Sequence, residues 1–185
     1  MPSKRDLMML AAMLTAPPAF AEAPLRPLPD ARVVDHRGRR RRLVTEVIGA
    51  RVVAIDFVLT GCAALCHLVS ANMALAEAQL RPRLGPRGAG LVSIGLDPLA
   101  DTPAELARYA ARFEAGPEWS FVTMPHASLD EVLRRLGGPQ PGADHAPMVL
   151  VVDAAHGRLR RLAGLAGPEE IAGAVDRMLA ARGAA

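Results

Sequence analysis

Three observations predict an α/β domain with a central mixed, mostly parallel sheet flanked by helices. The first is a set of short apolar runs, residues 51–59 (RVVAIDFVL), 91–96 (LVSIGL) and 148–153 (MVLVVD). These are rich in valine and isoleucine, as strands buried on both faces are. The second is the alternation of these runs with segments of helical period, the pattern that places helices on the faces of a sheet. The third is a pair of shorter strand-like stretches around the turn DHRGR, residues 35–39, which predicts an N-terminal β-hairpin. At 185 residues the chain suits one domain.

The elements follow in order. Residues 1–21 read as a cleavable secretory signal: Lys4 and Arg5 precede an apolar stretch from Leu7 to Leu14, and Ala19-Phe20-Ala21 fits a small-residue cleavage site. Cleavage after Ala21 leaves Glu22 first and puts the mature protein in a periplasm. The alternative is an N-terminal anchor in the inner membrane, although the apolar stretch is far shorter than the roughly 20 residues that span a bilayer. A proline-rich lead-in occupies residues 22–30, and the folded domain is expected over 31–185.

In the hairpin, spanning Arg32 to Leu43, Gly38 supplies the positive φ of a tight turn. The strand at 51–59 ends at Thr60-Gly61, and a helix over 66–84 is marked by Leu68, Met73, Leu75, Leu80 and Leu84. After the 91–96 strand, DTPAEL opens a helix that runs to about Phe113: Asp101 or Thr102 can cap it and Pro103 sits where a missing N–H costs nothing. WSFVT (119–123) is a strand and SLDEVLRRLG a helix. MVLVVD and GRLRRLAG form a strand pair around AAHG, and a last helix starts at Pro168.

Apolar residues make up 51% and charged residues 22%, ordinary for a globular protein, whereas aromatics are only 3%, so the core must be aliphatic. The net charge is +3. The arginines are dispersed except in RGRRRR, residues 37–42. That run reads as a solvated turn and strand edge, or alternatively as a patch that docks an anionic membrane or partner. With no second basic stripe, few aromatics for base stacking and no zinc-finger spacing, nucleic acid is not an expected partner.

The chain's two cysteines lie in TGCAALCH, residues 60–67. Cys62 falls on the loop leaving the first apolar strand and Cys66 in the first turn of the following helix. A helix N-terminus favours thiolate over thiol, and a spacing of four puts both side chains on one face, near enough to chelate one ion or form a disulfide. A purely structural disulfide is the bland alternative, and a weak one, because so short a loop removes little entropy from the unfolded chain.

Four stretches, DFVLTGCAALCH, LVSIGLDPLADTPAELARYAARF, WSFVT and DHAPMVLVVDAAHGRL, resemble in order the Sco/SenC family of thioredoxin-fold copper-binding proteins that assist cytochrome c oxidase assembly. The resemblance spans roughly residues 30–165. It implies a thioredoxin-like fold and a metal site of Cys62, Cys66 and His145. It also implies, as partners, subunit II of cytochrome c oxidase or another copper-accepting protein, with other copper chaperones and a position close to the membrane. The donor chemistry agrees: two thiolates and an imidazole suit Cu(I), and Cu(II) with one added oxygen ligand, whereas a closed zinc site wants four protein ligands. The same cysteine pair could instead serve a thiol-disulfide oxidoreductase, with Cys62 and Cys66 as its catalytic thiols.

Two positions depart from the family pattern. His67 stands where proline usually follows the second cysteine. It projects about 100° around the helix from Cys66, as a half-exposed surface side chain or an auxiliary ligand. Ala146 replaces the usual serine after the histidine, and a cis Ala146-Pro147 bond would strengthen a redox reading. His36 and His156 are expected in solvated turns and His126 in a loop or cap. Asp97 and Asp101 should fix their loop, and Met73 and Met178 belong to helix cores.

Overall fold

The computed structural model describes residues 22–62, 65–139 and 147–183. Central in the sheet is strand β4, Val52–Val58, every residue of which is buried. Among the described residues seven further strands accompany it: β1 (Ala23–Pro24), β2 (Arg32–Asp35), β3 (Arg40–Arg42), β5 (Ala89–Gly95), β6 (Trp119–Thr123), β7 (Met148–Asp153) and β8 (Arg158–Ala163). Their order across the sheet is β1-β8-β7-β4-β5-β6-β2-β3. Among the described residues there are also four α-helices: α1 (Leu65–Leu80), α2 (Pro103–Arg112), α3 (His126–Leu136) and α4 (Pro168–Ala180).

The sheet is mixed as expected, but mostly antiparallel rather than mostly parallel. Among the strands of the described residues, β4 with β5 and β5 with β6 run parallel; β7 is antiparallel to β4, and β1–β8, β7–β8, β2–β3 and β2–β6 are antiparallel too. A continuous apolar run reports burial on both faces and carries no direction. Strand β7 enters at Met148, level with the C-terminal half of β4, and runs the other way.

Alternation along β4 divides the core into two layers. Val52, Ala54 and Val58 face α1, α2 and α4, while Val53, Ile55 and Phe57 face α3 and a π-type helical turn, Leu43–Ile48. The buried stripe of α1 consists of Cys66, Val69, Ser70, Met73, Ala76, Glu77 and Leu80, at helical three- and four-residue steps. Leu68 and Leu75, expected in that stripe, are 50% and 56% exposed. The helix is shorter than predicted, ending at Leu80 before a 3-10 turn, Arg81–Arg83.

The hairpin forms as predicted, with Gly38 at φ 75° in its turn. His36 in that turn is half-buried rather than solvated: its Nδ1 accepts from the Phe121 amide at 3.2 Å and its ring meets Phe121 edge-on. His156 and His126 are exposed, the latter at the start of α3. Part of the proline-rich lead-in is structured, since Ala23–Pro24 pairs with β8 as an edge strand. The C-terminus is fastened by Asp153, whose fully buried carboxylate accepts from Arg182 Nε and Nη2, each at 2.8 Å, and from Arg158 at 2.9 Å. These partners hold the Asp153 carboxyl well below the usual carboxylate range, outweighing the upward effect of burial.

Candidate metal centre

The two parallel pairings bring the C-terminal ends of β4, β5 and β6 to one edge of the sheet, the place where open α/β sheets carry their sites. The loop after β4 holds Cys62 and leads into α1, which presents Cys66 from its first turn. Backbone hydrogen bonding shapes that loop, with the Cys62 amide donating to the Leu59 carbonyl at 2.9 Å.

A buried carboxylate ties this loop to the next one. Asp101, fully inaccessible, accepts from the Thr60 amide and hydroxyl, both at 2.8 Å, and from the Asp97 amide at 2.9 Å. Asp97 in turn accepts from the amides of Leu99 and Ala100. Both carboxylates therefore fix loop geometry, as expected, while Thr102 caps α2 by accepting from the Glu105 amide. A side chain at Gly95 could not coexist with this clasp, because its Cβ would stand 2.9 Å from that of Asp101.

Cys62 is half-buried and Cys66 buried, both as thiols rather than a disulfide. The helix N-terminus does not win at Cys66. Burial first, then the hydrogen bond and charge of Cys62 and the charge of Asp56, push its thiol up to about 11, with a backbone hydrogen bond at Leu59 opposing the rise. The expectation of a thiolate at this position is thus corrected: Cys66 rests protonated at neutral pH. Any soft cation bound there must displace that proton.

His67 packs its ring against Tyr109 and Phe113, at centroid distances of 5.5 and 5.8 Å, and its Nε2 accepts from Arg112 at 3.0 Å. It is half-buried on the α2 side, a structural role close to the surface reading. His145 and the Ala146-Pro147 bond lie outside the described residues. The residues that bracket that stretch, Pro139 and Pro147, line one narrow apolar crevice together with Cys66, Phe57 and Leu65. Among the described residues no three histidine, cysteine or acidic side chains cluster as a metal site.

Beneath the thiols lies a polar network that the sequence reading missed. Asp56, fully buried on β4, accepts from Ser93 on β5 and from Ser70 on α1, the latter at 3.3 Å. The Ser70 hydroxyl is 3.1 Å from the Tyr109 hydroxyl, and Trp119 Nε1 donates to Ser93 Oγ at 2.9 Å. A signal was present: Asp56 and Ser93 interrupt two buried apolar runs and pair directly across them. Burial pushes the Asp56 carboxyl up to about 6, against the hydroxyl donors that favour its charged form.

The fold and the thiol edge together define a thioredoxin-like domain carrying a paired-cysteine site. The SCO1/SenC family model matches residues 30–180, and the chain belongs to that family. Among solved structures, a SCO1/SenC family lipoprotein from Bacillus anthracis is 20% identical with a TM-score of 0.71, covering 84% of this chain and 96% of that one. BsSco, a member of the Sco family of cytochrome c oxidase assembly proteins in which a disulfide switch was identified, is 19% identical at 0.68, covering 87% and 96%. Arabidopsis thaliana ScoI, solved with copper bound, is 15% identical at 0.67, covering 83% and 98%. At such identity these likenesses establish the fold. No curated protein matches the chain.

The raised Asp56 carboxyl makes stability depend on pH. An acid whose pKa is higher folded than unfolded binds its proton more tightly in the fold, so stability falls as pH rises from about 4 through 6. Between pH 4 and 7 the unfolding free energy of Asp56→Asn should therefore gain about 3 kcal/mol relative to the native chain, a shift of roughly two units. Urea denaturation of both proteins across that range measures it, and a difference independent of pH would contradict the assignment.

Proposed function

We propose that this protein carries copper, bound by Cys62, Cys66 and His145, to an acceptor in cytochrome c oxidase assembly, with subunit II of the oxidase the expected acceptor. The observation that carries the reading is the crevice at Cys66. Pro139 and Pro147, on either side of the His145 segment, line it with the buried cysteine, and His145 is two residues from Pro147, about 7 Å of chain at most. Membership in the SCO1/SenC family and the copper-bound relatives support it. Copper is the cargo. The chain supplies two soft sulfur donors and one imidazole, a set that accepts Cu(I) readily and holds Cu(II) through the harder nitrogen. The buried Cys66, with apolar Phe57 and Leu65 beside it, limits water at the sulfur, and Asp101 fixes the loop bearing Cys62. Other copper chaperones are the expected donors.

A thiol-disulfide oxidoreductase is the second reading, favoured by the hydrogen-bonded thiol pair with one half-exposed member. Cys62 would attack a partner disulfide and release one partner thiol. Cys66 would then displace the other, so that the partner gains two electrons and two protons while Cys62 and Cys66 become the disulfide.

We also place the mature protein in the periplasm after cleavage behind Ala21. Among the described residues no helix is long and apolar enough to cross a membrane. Mass spectrometry of periplasmic protein should find Glu22 at the N-terminus; recovery only from the inner membrane with residues 1–21 intact would show an anchored form.

His145→Ala separates the two functions. Copper carriage predicts loss of stable Cu(II) binding and of oxidase maturation in complementation at limiting copper, with the cysteine pair still cycling between dithiol and disulfide. Full oxidase assembly by this variant, with only Cys62→Ser and Cys66→Ser failing, would establish the reductase instead.

A further inference from the structure

At the same edge of the sheet as the cysteine loop lies an open groove of about 780 Å³. It is bounded by the β2–β3 hairpin, the loop after β5 and the end of β6. Val33 and Met124, both buried, contribute to its apolar floor, and Leu99, 82% exposed, stands on its wall. The rim carries Arg32, Arg40, Arg41 and Arg42 against a single carboxylate, Glu46.

These arginines are poorly neutralised. Arg32 and Arg42 are direct cross-strand partners, a like-charge pairing that destabilises a sheet. Arg42 reaches Asp30 at 3.3 Å and Arg41 donates to the Glu46 backbone carbonyl, whereas Arg32 and Arg40 have no ion pair or side-chain hydrogen bond among the described residues. A convergent cationic rim over an apolar floor is complementary to an anion that carries an apolar anchor.

The groove is also coupled in space to the thiols. Pro98 and Leu99 line it, and their loop is the one that Asp101 fastens to Thr60, two residues before Cys62. The exposed leucines Leu65 and Leu68 neighbour Cys66 on α1. The basic groove and the cysteine loop are thus joined through the Asp101 clasp.

We infer that this groove docks an acidic, leucine-type segment of the protein that exchanges copper or electrons with Cys62 and Cys66. The inference rests on the function proposed above for its partner, though not for its geometry. A concave site whose floor residues Val33 and Met124 are buried, with Leu99 its one large protruding apolar side chain, fits a polypeptide segment better than a lipid surface, which would need several apolar residues to protrude together.

The probe is a fluorescein-labelled heptapeptide with leucine at its third and fifth positions and glutamate elsewhere, followed by anisotropy on the mature protein. Arg32→Glu/Arg40→Glu should weaken binding at least about tenfold. Arg26→Glu/Arg87→Glu, an equal change of charge at exposed sites outside the groove, should change it less than about twofold. Leu99→Ser, at a side chain too exposed to matter for folding, should also weaken the peptide without altering the unfolding transition. Equal losses in both double variants would reduce the effect to net charge and overturn the proposal. So would no peptide binding, which would leave the arginines as guards of an edge strand. Arginine-dependent binding to phosphatidylglycerol vesicles without peptide binding would replace it with a membrane surface. Copper titration of the same proteins keeps the two readings apart: the groove variants should load copper normally, and failure of the native protein to load it would defeat the proposed function alone.

Discussion

The Asp101 carboxylate is the constraint on which the thiol edge depends. Without it, the loop leaving β4 and the loop leaving β5 would keep only the backbone link from the Leu96 amide to the Val58 carbonyl, and the Thr60 and Asp97 amides would lose their acceptor. With it, the Thr60 amide and hydroxyl and the Asp97 amide converge on one buried anion. Charged acceptors of this kind make the stronger class of hydrogen bond, and removing this one leaves three part-buried donors unpaired, each at no more than the about 1–3 kcal/mol that a fully buried donor costs. The clasp sets where Cys62 begins, the bare Gly95 leaves it room, and α2 starts directly behind it at Thr102.

The two cysteines are chemically unequal because the fold treats them differently. Cys66 sits on the buried stripe of α1, so desolvation outweighs the helix N-terminus and its proton stays at neutral pH. Cys62, on the loop, is half-buried and reaches solvent. For a metal, this arrangement offers one accessible donor and one that must be deprotonated on capture, which ties affinity to pH. For disulfide exchange, it offers an accessible thiol and a sheltered partner to resolve the mixed disulfide. Below both, Asp56, Ser70, Ser93, Tyr109 and Trp119 join β4, β5, β6, α1 and α2 through side-chain hydrogen bonds, giving this otherwise apolar layer of the core a specific polar registration.

Much of this was legible in the sequence, and the gaps have physical causes. The buried runs at β4, β5 and β7 were plain because two-faced burial leaves a continuous apolar signature. Their direction was not, since β7 running antiparallel has the same composition as a parallel strand would. Met73 and Leu80 of α1 were assigned correctly to the core, but Leu68 and Leu75 were not: alanine, serine and glutamate fill the buried stripe there, so the larger leucines mislead. A two-residue strand containing proline, Ala23–Pro24, has no period to detect. The cysteine pair and its edge of the sheet followed from spacing and turn chemistry, whereas the protonated state of Cys66 required its burial, which only tertiary packing reveals.

The central claim is that Cys62 and Cys66 act as ligands to copper together with the imidazole of His145. Anaerobic titration of the reduced mature protein with Cu(I), read by X-ray absorption at the copper edge, tests it most directly. The account predicts one copper per chain, with two sulfur neighbours and one nitrogen. Failure to take up stoichiometric copper, or a first coordination shell without sulfur, would contradict it.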